Sequence, residues 1–190
     1  ELLLERFDAD ARQRLIYLDP SDAEYPFSWN PMDDMRSLSK EFAEPLLSDL
    51  VTALYRIPTS PLSGFAARHM LGIPDATLLF LFEVVSDAAL KDARFPKGTA
   101  ARAELDALLA EHADISDAIA GNGRYLARDT LMRNILGQQK SKFTLDVLGK
   151  GGICIVDLSR IRMFPTRLTP LVRLFLHVVR VHTALYPTPP

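Results

Sequence analysis

Near the end of the chain the apolar run Ile153-Cys-Ile-Val156 follows Gly151-Gly152 and continues, beyond Asp157, to Leu158. β-Branched residues behind a pair of glycines predict a strand, and a run without alternation predicts one buried on both faces. From Leu168 to Tyr186 the spacing changes to that of a helix that is apolar on most sides, with Arg173, His177 and Arg180 as a narrow polar stripe. Such a helix has to be buried against a sheet or a neighbour. At under 20 residues, with two arginines and two histidines inside it, it is a poor membrane span. A second strand is predicted in Arg14-Leu-Ile-Tyr-Leu-Asp19, where Pro20 ends the ladder. Both strands finish in an acid followed by a polar turn, Asp19-Pro-Ser-Asp22 and Asp157-Leu-Ser-Arg160. Two such strands on either side of a long helical stretch suit a parallel sheet whose crossover contains an insertion.

Between the strands the pattern is helical from about Met35 to Gly137. The end of another helix is predicted over residues 1–12, with Leu3, Leu4 and Phe7 on one face. Residues 23–34 read as a loop in which Pro26 and Pro31 enforce extended backbone before them. Its alternating Tyr25, Phe27 and Trp29 either pin the loop on the core or offer stacking platforms for bases. Ser37 or Ser39 caps a helix to about Arg56, and Pro58 to Gly64 interrupts it. Asp75 is expected to cap Thr77 to Ala89, whose run Leu78-Leu-Phe-Leu-Phe82 marks the hub of the layer. Thr99 caps a helix through Glu111. A further helix covers Ser116 to Leu136, with a break expected at Gly121-Asn-Gly123. Thr144 to Gly149 is a single capped turn with Gly149 as its stop.

Across the 190 residues the net charge is −2, but its distribution is uneven. Residues 1–123 hold 11 Lys and Arg against 21 Asp and Glu, and residues 124–190 hold 11 against 3. The C-terminal third therefore faces something acidic, either the rest of its own fold or a polyanion. The single cysteine, Cys154, lies inside an apolar strand with no group beside it to lower its pKa, which suits a structural thiol in a reducing compartment. The opening Glu-Leu-Leu-Leu-Glu-Arg has neither the basic region nor the cleavage site of a secretory signal. It starts inside an amphipathic helix without Met, and the chain stops at Pro187-Thr-Pro-Pro190, as expected of a piece of a longer protein.

Several chemistries lack their residues. There is no G-x-x-x-x-G-K-[ST] phosphate loop, no zinc spacing among His69, His112, His177 and His182, and no G-x-S-x-G elbow. Asp19 and Asp157, at neighbouring strand ends, could hold a metal or a water, although an Asp in that position is also a common turn former. The segment Arg133-Asn-Ile-Leu-Gly-Gln-Gln-Lys-Ser-Lys142 concentrates donors. With Arg160, Arg162 and Arg167 it makes a basic surface suited to phosphates, or else a solvated helix end. Arg160 and Arg162 follow the second strand, where a loop can project an arginine into a nucleotide site in cis or across a subunit interface.

The order of these pieces resembles a family. Leu15-Ile-Tyr-Leu-Asp-Pro-Ser-Asp-Ala-Glu-Tyr-Pro-Phe-Ser-Trp-Asn-Pro-Met32, a helical insert containing Pro74-Asp-Ala-Thr-Leu78, Arg133-Asn-Ile-Leu-Gly-Gln138 with Ser141 and Phe143, and Gly151-Gly-Ile-Cys-Ile-Val-Asp-Leu-Ser159 are similar to the middle of the TraG/TraD-like conjugative coupling ATPases of the HerA/FtsK superfamily. The resemblance spans most of the chain, and the stretch Pro58 to Ile73 is shorter than the family's helix there. It implies an α/β fold, mostly helical overall: a fragment of a RecA-like P-loop NTPase core with a short parallel sheet and a large inserted helical region. The partial core would be residues 1–34 and 144–190, and the insertion residues 35–143. It further implies a bacterial, DNA-pumping motor of the type IV secretion kind, with ATP and Mg, partner copies in a hexameric ring, and contact with membrane secretion machinery through segments not in this chain. Its location would be cytoplasmic, at the inner face of the membrane.

In that family the phosphate loop would precede Glu1 and the acidic magnesium motif would follow Pro190. No catalytic residue is therefore carried over, and the chain alone is expected to bind neither cofactor. The nucleotide-facing candidates are Asp19, Asp157, Ser159, Arg160 and Arg162. The nucleic-acid candidates are Arg133, Lys140, Lys142 and Arg167. The alternative is a stand-alone helical module that contacts nucleic acid or protein through its basic third.

Overall fold

A computed structural model describes residues 7–22, 24–26, 28–142, 145–160 and 165–186, without the side chains of residues 165, 167, 168, 178 and 184. Thirteen elements run through these segments. Helix α1 (Ala9–Gln13) is capped by Asp8, whose carboxylate accepts from the Ala11 amide, and strand β1 (Leu15–Leu18) follows. Then come α2 (Pro31–Met35), α3 (Lys40–Tyr55), α4 (Pro61–Gly72), α5 (Phe80–Ser86), α6 (Ala88–Arg94), α7 (Ala100–Glu111), α8 (Ala113–Arg128), α9 (Thr130–Leu136) and α10 (Asp146–Gly149). Strand β2 (Ile153–Val156) and helix α11 (Pro165–Leu185) close the order. The fold is mixed α/β, mostly helical, with a two-stranded parallel sheet.

The strands pair as their sequence predicts. Leu15 lies opposite Ile153 and Leu18 opposite Val156, in parallel, across a connection that holds all the helices from α2 to α10. Their burial departs from expectation. No residue of either strand is fully buried, and Tyr17 is 47% exposed. The run without alternation reflects a sheet half-covered on both sides rather than one enclosed on both.

Leu78, Leu79, Phe80 and Leu81 are all buried, as the expected hub. α3 packs most extensively on α4 and α11, and α5 lies against α8 and α6. At the α5–α8 crossing the backbones approach so closely that a Cβ on Gly123 would sit 2.5 Å from the Phe82 side chain. The Gly-Asn-Gly stretch is thus a contact surface inside a continuous helix, not the break predicted there. The break comes at Asp129, whose side chain caps α9 through the Leu131 and Met132 amides.

Other local expectations are revised by side-chain partners. Asp75 does not cap a helix; its carboxylate receives both guanidinium nitrogens of Arg94 at 2.7 and 2.5 Å. The helix expected over Thr77 to Ala89 is two, and Asp87 caps the second through the Ala89 and Leu90 amides. Only residues 57–60 interrupt the chain after Arg56, because Ser60 and Ser63 form a reciprocal capping box that starts α4 at Pro61. Thr99 caps α7 as predicted. Ser39 holds the N-cap position of α3 with no side-chain cap bond. α10 stops at Gly149 as expected, and the left-handed glycine that then turns the chain into β2 is Gly151, φ 84°. Residues 1–6, with Leu3 and Leu4, and Thr144 lie outside the described residues.

Helix α11 turns its polar stripe toward the protein: His177 is buried, the Arg173 guanidinium donates to the Ala53 carbonyl, and Arg180 pairs with Asp49 at 2.8 Å. Leu171, Leu174 and Val181 share that inner side, while Leu176 and Val179 stand 62% and 59% exposed. The helix finds its cover on α3, and its second apolar side stays open.

Candidate functional site at the carboxyl edge of the sheet

Parallel pairing carries the two acid-tipped turns to the same edge. The ladder closes there with the Asp157 amide donating to the Leu18 carbonyl at 2.8 Å. Asp19 Oδ1 accepts from the Ser21 amide at 2.8 Å and from its hydroxyl at 2.5 Å, the local turn that an Asp-Pro-Ser sequence favours. Asp19 Oδ2 lies 3.4 Å from an Arg160 guanidinium nitrogen. The Asp19 side chain is mostly covered, whereas that of Arg160 is 75% exposed.

Asp157 sits beside them. Tyr17 donates its hydroxyl to Oδ2 at 2.6 Å, and the Ser159 amide donates to Oδ1 at 2.8 Å. The Tyr17 bond, then those from Ser159, hold the carboxyl down to about 2, so it is ionised at any physiological pH. The same bond raises the pKa of Tyr17 by fixing its proton next to a carboxylate. Tyr17 was not legible as a site residue; the signal was its exposed position within a strand next to an acid-tipped neighbour. Cys154, on the same sheet, is half-buried, and burial raises its thiol pKa, in keeping with an inert thiol.

Of the nucleotide-facing candidates the structure brings together Asp19, Asp157, Ser159 and Arg160; Arg162 lies outside the described residues. Both carboxylates are engaged by Tyr17, Ser159, Ser21 and Arg160, and among the described residues no group of three or more His, Cys, Asp or Glu side chains is placed to hold a metal.

Arg133, Lys140 and Lys142 are exposed and make no side-chain hydrogen bond or ion pair to a described residue, while the side chain of Arg167 lies outside the description. The loop that carries the lysines is pinned by its backbone to the loop after β1. Lys142 N donates to the Ser28 carbonyl at 3.1 Å, Ser28 donates to the Lys140 carbonyl at 2.6 Å, and Asn30 Nδ2 reaches the carbonyls of Gln139 and Ala76 at 2.9 Å each. Asp33 and Asp34 accept from the amides of Ser141 and Leu145. Burial raises the pKa of Asp34, and its bond from Trp29 Nε1 at 2.7 Å opposes that rise. Trp29 is fully buried, so it pins the loop and offers no stacking face; Tyr25 is exposed, and Phe27 lies outside the described residues.

The basic third is in part answered by its own fold, since Arg160, Arg173 and Arg180 turn to Asp19, the Ala53 carbonyl and Asp49. Among the described residues no helix is long and apolar enough to cross a membrane. No protein-family model, no curated protein and no solved structure matches this chain.

Proposed function

We propose that this chain is an internal part of an ATP-driven DNA-translocating motor of the conjugative coupling kind. The carboxyl edge of β1 and β2 would lie on the nucleotide side, and the helices α3 to α9 would form its inserted scaffold. One observation supports this above the others. Two short strands separated by the whole helical region pair in parallel, and the pairing sets Asp19 against Arg160 at one edge. Ligands in open α/β sheets bind outside that edge. In this reading the sheet belongs to a larger RecA-like core, and its half-covered faces are where the remaining layers pack.

Within such a core Arg160 is the projecting cation. Asp19 holds it at the edge in the resting state through a partly exposed pair, a weak tether that a phosphate's greater charge can displace. Tyr17 and Ser159 keep Asp157 ionised and fixed in direction, so it orients the turn that carries Arg160. ATP and magnesium would be held mainly by groups outside these 190 residues, and no chemical step is assigned to this chain.

The test is ATP turnover, with and without DNA, by a chain in which this segment is joined to its phosphate-loop segment. Arg160→Glu is expected to cut turnover about a hundredfold, the order seen when one charged donor is removed from a phosphoryl-transfer site. Arg160→Lys should restore part of it, and the unfolding midpoint should stay within error. Unchanged turnover in Arg160→Glu would overturn the role of Arg160, and a joined chain without DNA-stimulated turnover would overturn the motor reading.

A further inference from the structure

A cleft of about 330 Å3 opens where the end of α3, the C-terminal half of α8 and the first turns of α11 meet. Its apolar lining is Leu54, Leu126 and Pro170, and around this floor stand Arg56, Tyr125, Thr166 and Thr169. None of these four polar side chains has a hydrogen bond or ion pair with a described residue. Asn122 donates its amide nitrogen to the Tyr55 carbonyl at 2.7 Å, which leaves its carbonyl oxygen as an acceptor at the cleft.

Arg56 is the residue that calls for a cause. It ends α3 in the left-handed region, φ 54° and ψ 42°, and among the described residues it is the one non-glycine with positive φ. Glycine or asparagine suits that position better. Its guanidinium, unpartnered over a cleft, is placed where it can bind a ligand.

The donor set is specific in kind. A guanidinium, two hydroxyls and the positive end of a 21-residue helix dipole suit a phosphate, whose three oxygens accept from several directions. The ring of Tyr125, 42% exposed, is a platform for a flat ring, and the volume is at the small end of ligand clefts. We infer that this cleft binds one nucleotide, its base stacked on Tyr125 and its phosphate held by Arg56 with Thr166 and Thr169. The nucleotide is either free or one unit of a single strand. The inference is independent of the motor reading, because the cleft shares no residue with the sheet edge.

Calorimetric titration of the 190-residue protein with AMP, with a single-stranded (dA)8 and with inorganic phosphate tests it. AMP is expected to bind saturably in the micromolar to millimolar range. Arg56→Gly should weaken AMP about tenfold, as loss of a charge-assisted bond does, while raising the thermal midpoint because glycine relieves the left-handed backbone. Arg56→Asn should do the same with less change in stability. Tyr125→Leu should weaken AMP about tenfold and leave inorganic phosphate unaffected. Tighter binding of (dA)8 than of AMP at equal salt assigns the single strand, and equal or weaker binding assigns the free nucleotide. Unchanged AMP affinity in Arg56→Gly, or no saturable binding of either nucleotide probe, would overturn the inference.

Discussion

The helical region and the sheet flank of this molecule are built to different degrees of closure. From Trp29 to α9 the apolar residues meet one another: Trp29, Tyr55, Phe65, Leu81 and Leu105 are sealed, and charges such as Arg102 and Asp92 pair over the rim. On the flank every strand residue is open to some degree, Leu176 and Val179 face outward, and acids and cations meet at an exposed edge. The difference teaches where each half gets its stability. The helices cover themselves, whereas the strands and α11 lean on them and keep surface to offer.

Matched truncations break this comparison most sharply. Leu81→Ala, in the sealed hub, is expected to cost about 3 kcal/mol. Ile155→Ala, a branched residue of the same size on a half-open strand, should cost roughly half as much, in proportion to the area it buries. Urea unfolding followed by circular dichroism measures both. Equal costs would mean that the sheet is as enclosed as the helices.

His177 sharpens the comparison at the seam, where α11 meets α3. Its Nε2 is buried without a partner, and burial first, then the nearby Arg180, push its pKa down to about 4, while Asp49 opposes them. The unfolded chain therefore takes up a proton near pH 6.5 that the folded chain refuses until about pH 4. Stability is full above pH 6.5 and falls as pH drops through that window, by on the order of 3 kcal/mol at its lower end. His177→Leu should remove this fall between pH 6.5 and 4.5, and the difference between the two curves excludes the carboxylates that titrate lower. Parallel curves for the two proteins would place His177 in water rather than against α3.

The smallest expected effect is at the edge itself. Tyr17→Phe should raise the Asp157 pKa from about 2 toward its ordinary value, read by carboxyl carbon NMR, with little change in the unfolding midpoint. A large loss of stability would make Tyr17 a structural strut and not an orienting group.

Much of this was legible in the chain. Gly-Gly before a β-branched run and Pro20 after another placed both strands, and their acid tips implied the parallel pairing because polar turns collect at a carboxyl edge. Thr99 announced α7 for a local reason, a side-chain cap that does not depend on the rest of the fold. What failed was decided by distant partners. Asp75 looked like a cap until Arg94, nineteen residues on, claimed its carboxylate. Gly121 to Gly123 looked like a break because the sequence does not show Phe82 crossing there. The pattern of α11 showed a polar stripe without its partners, which α3 supplies as Asp49 and the Ala53 carbonyl. The cleft under Arg56 left no mark at all, since its residues come from three separate helices.

On the proposed motor reading the sheet flank is the working side, and Arg133, Lys140 and Lys142 are the cations that would meet a polyanion. Affinity of the 190-residue chain for double-stranded DNA, measured from low to physiological salt, tests this most directly. With Arg133, Lys140 and Lys142 each neutralising one phosphate, log K is expected to fall with log salt at a slope of roughly −3, and Arg133→Ala, Lys140→Ala and Lys142→Ala combined should abolish most of that slope. Binding that ignores salt, or a slope that survives loss of all three, would contradict the account.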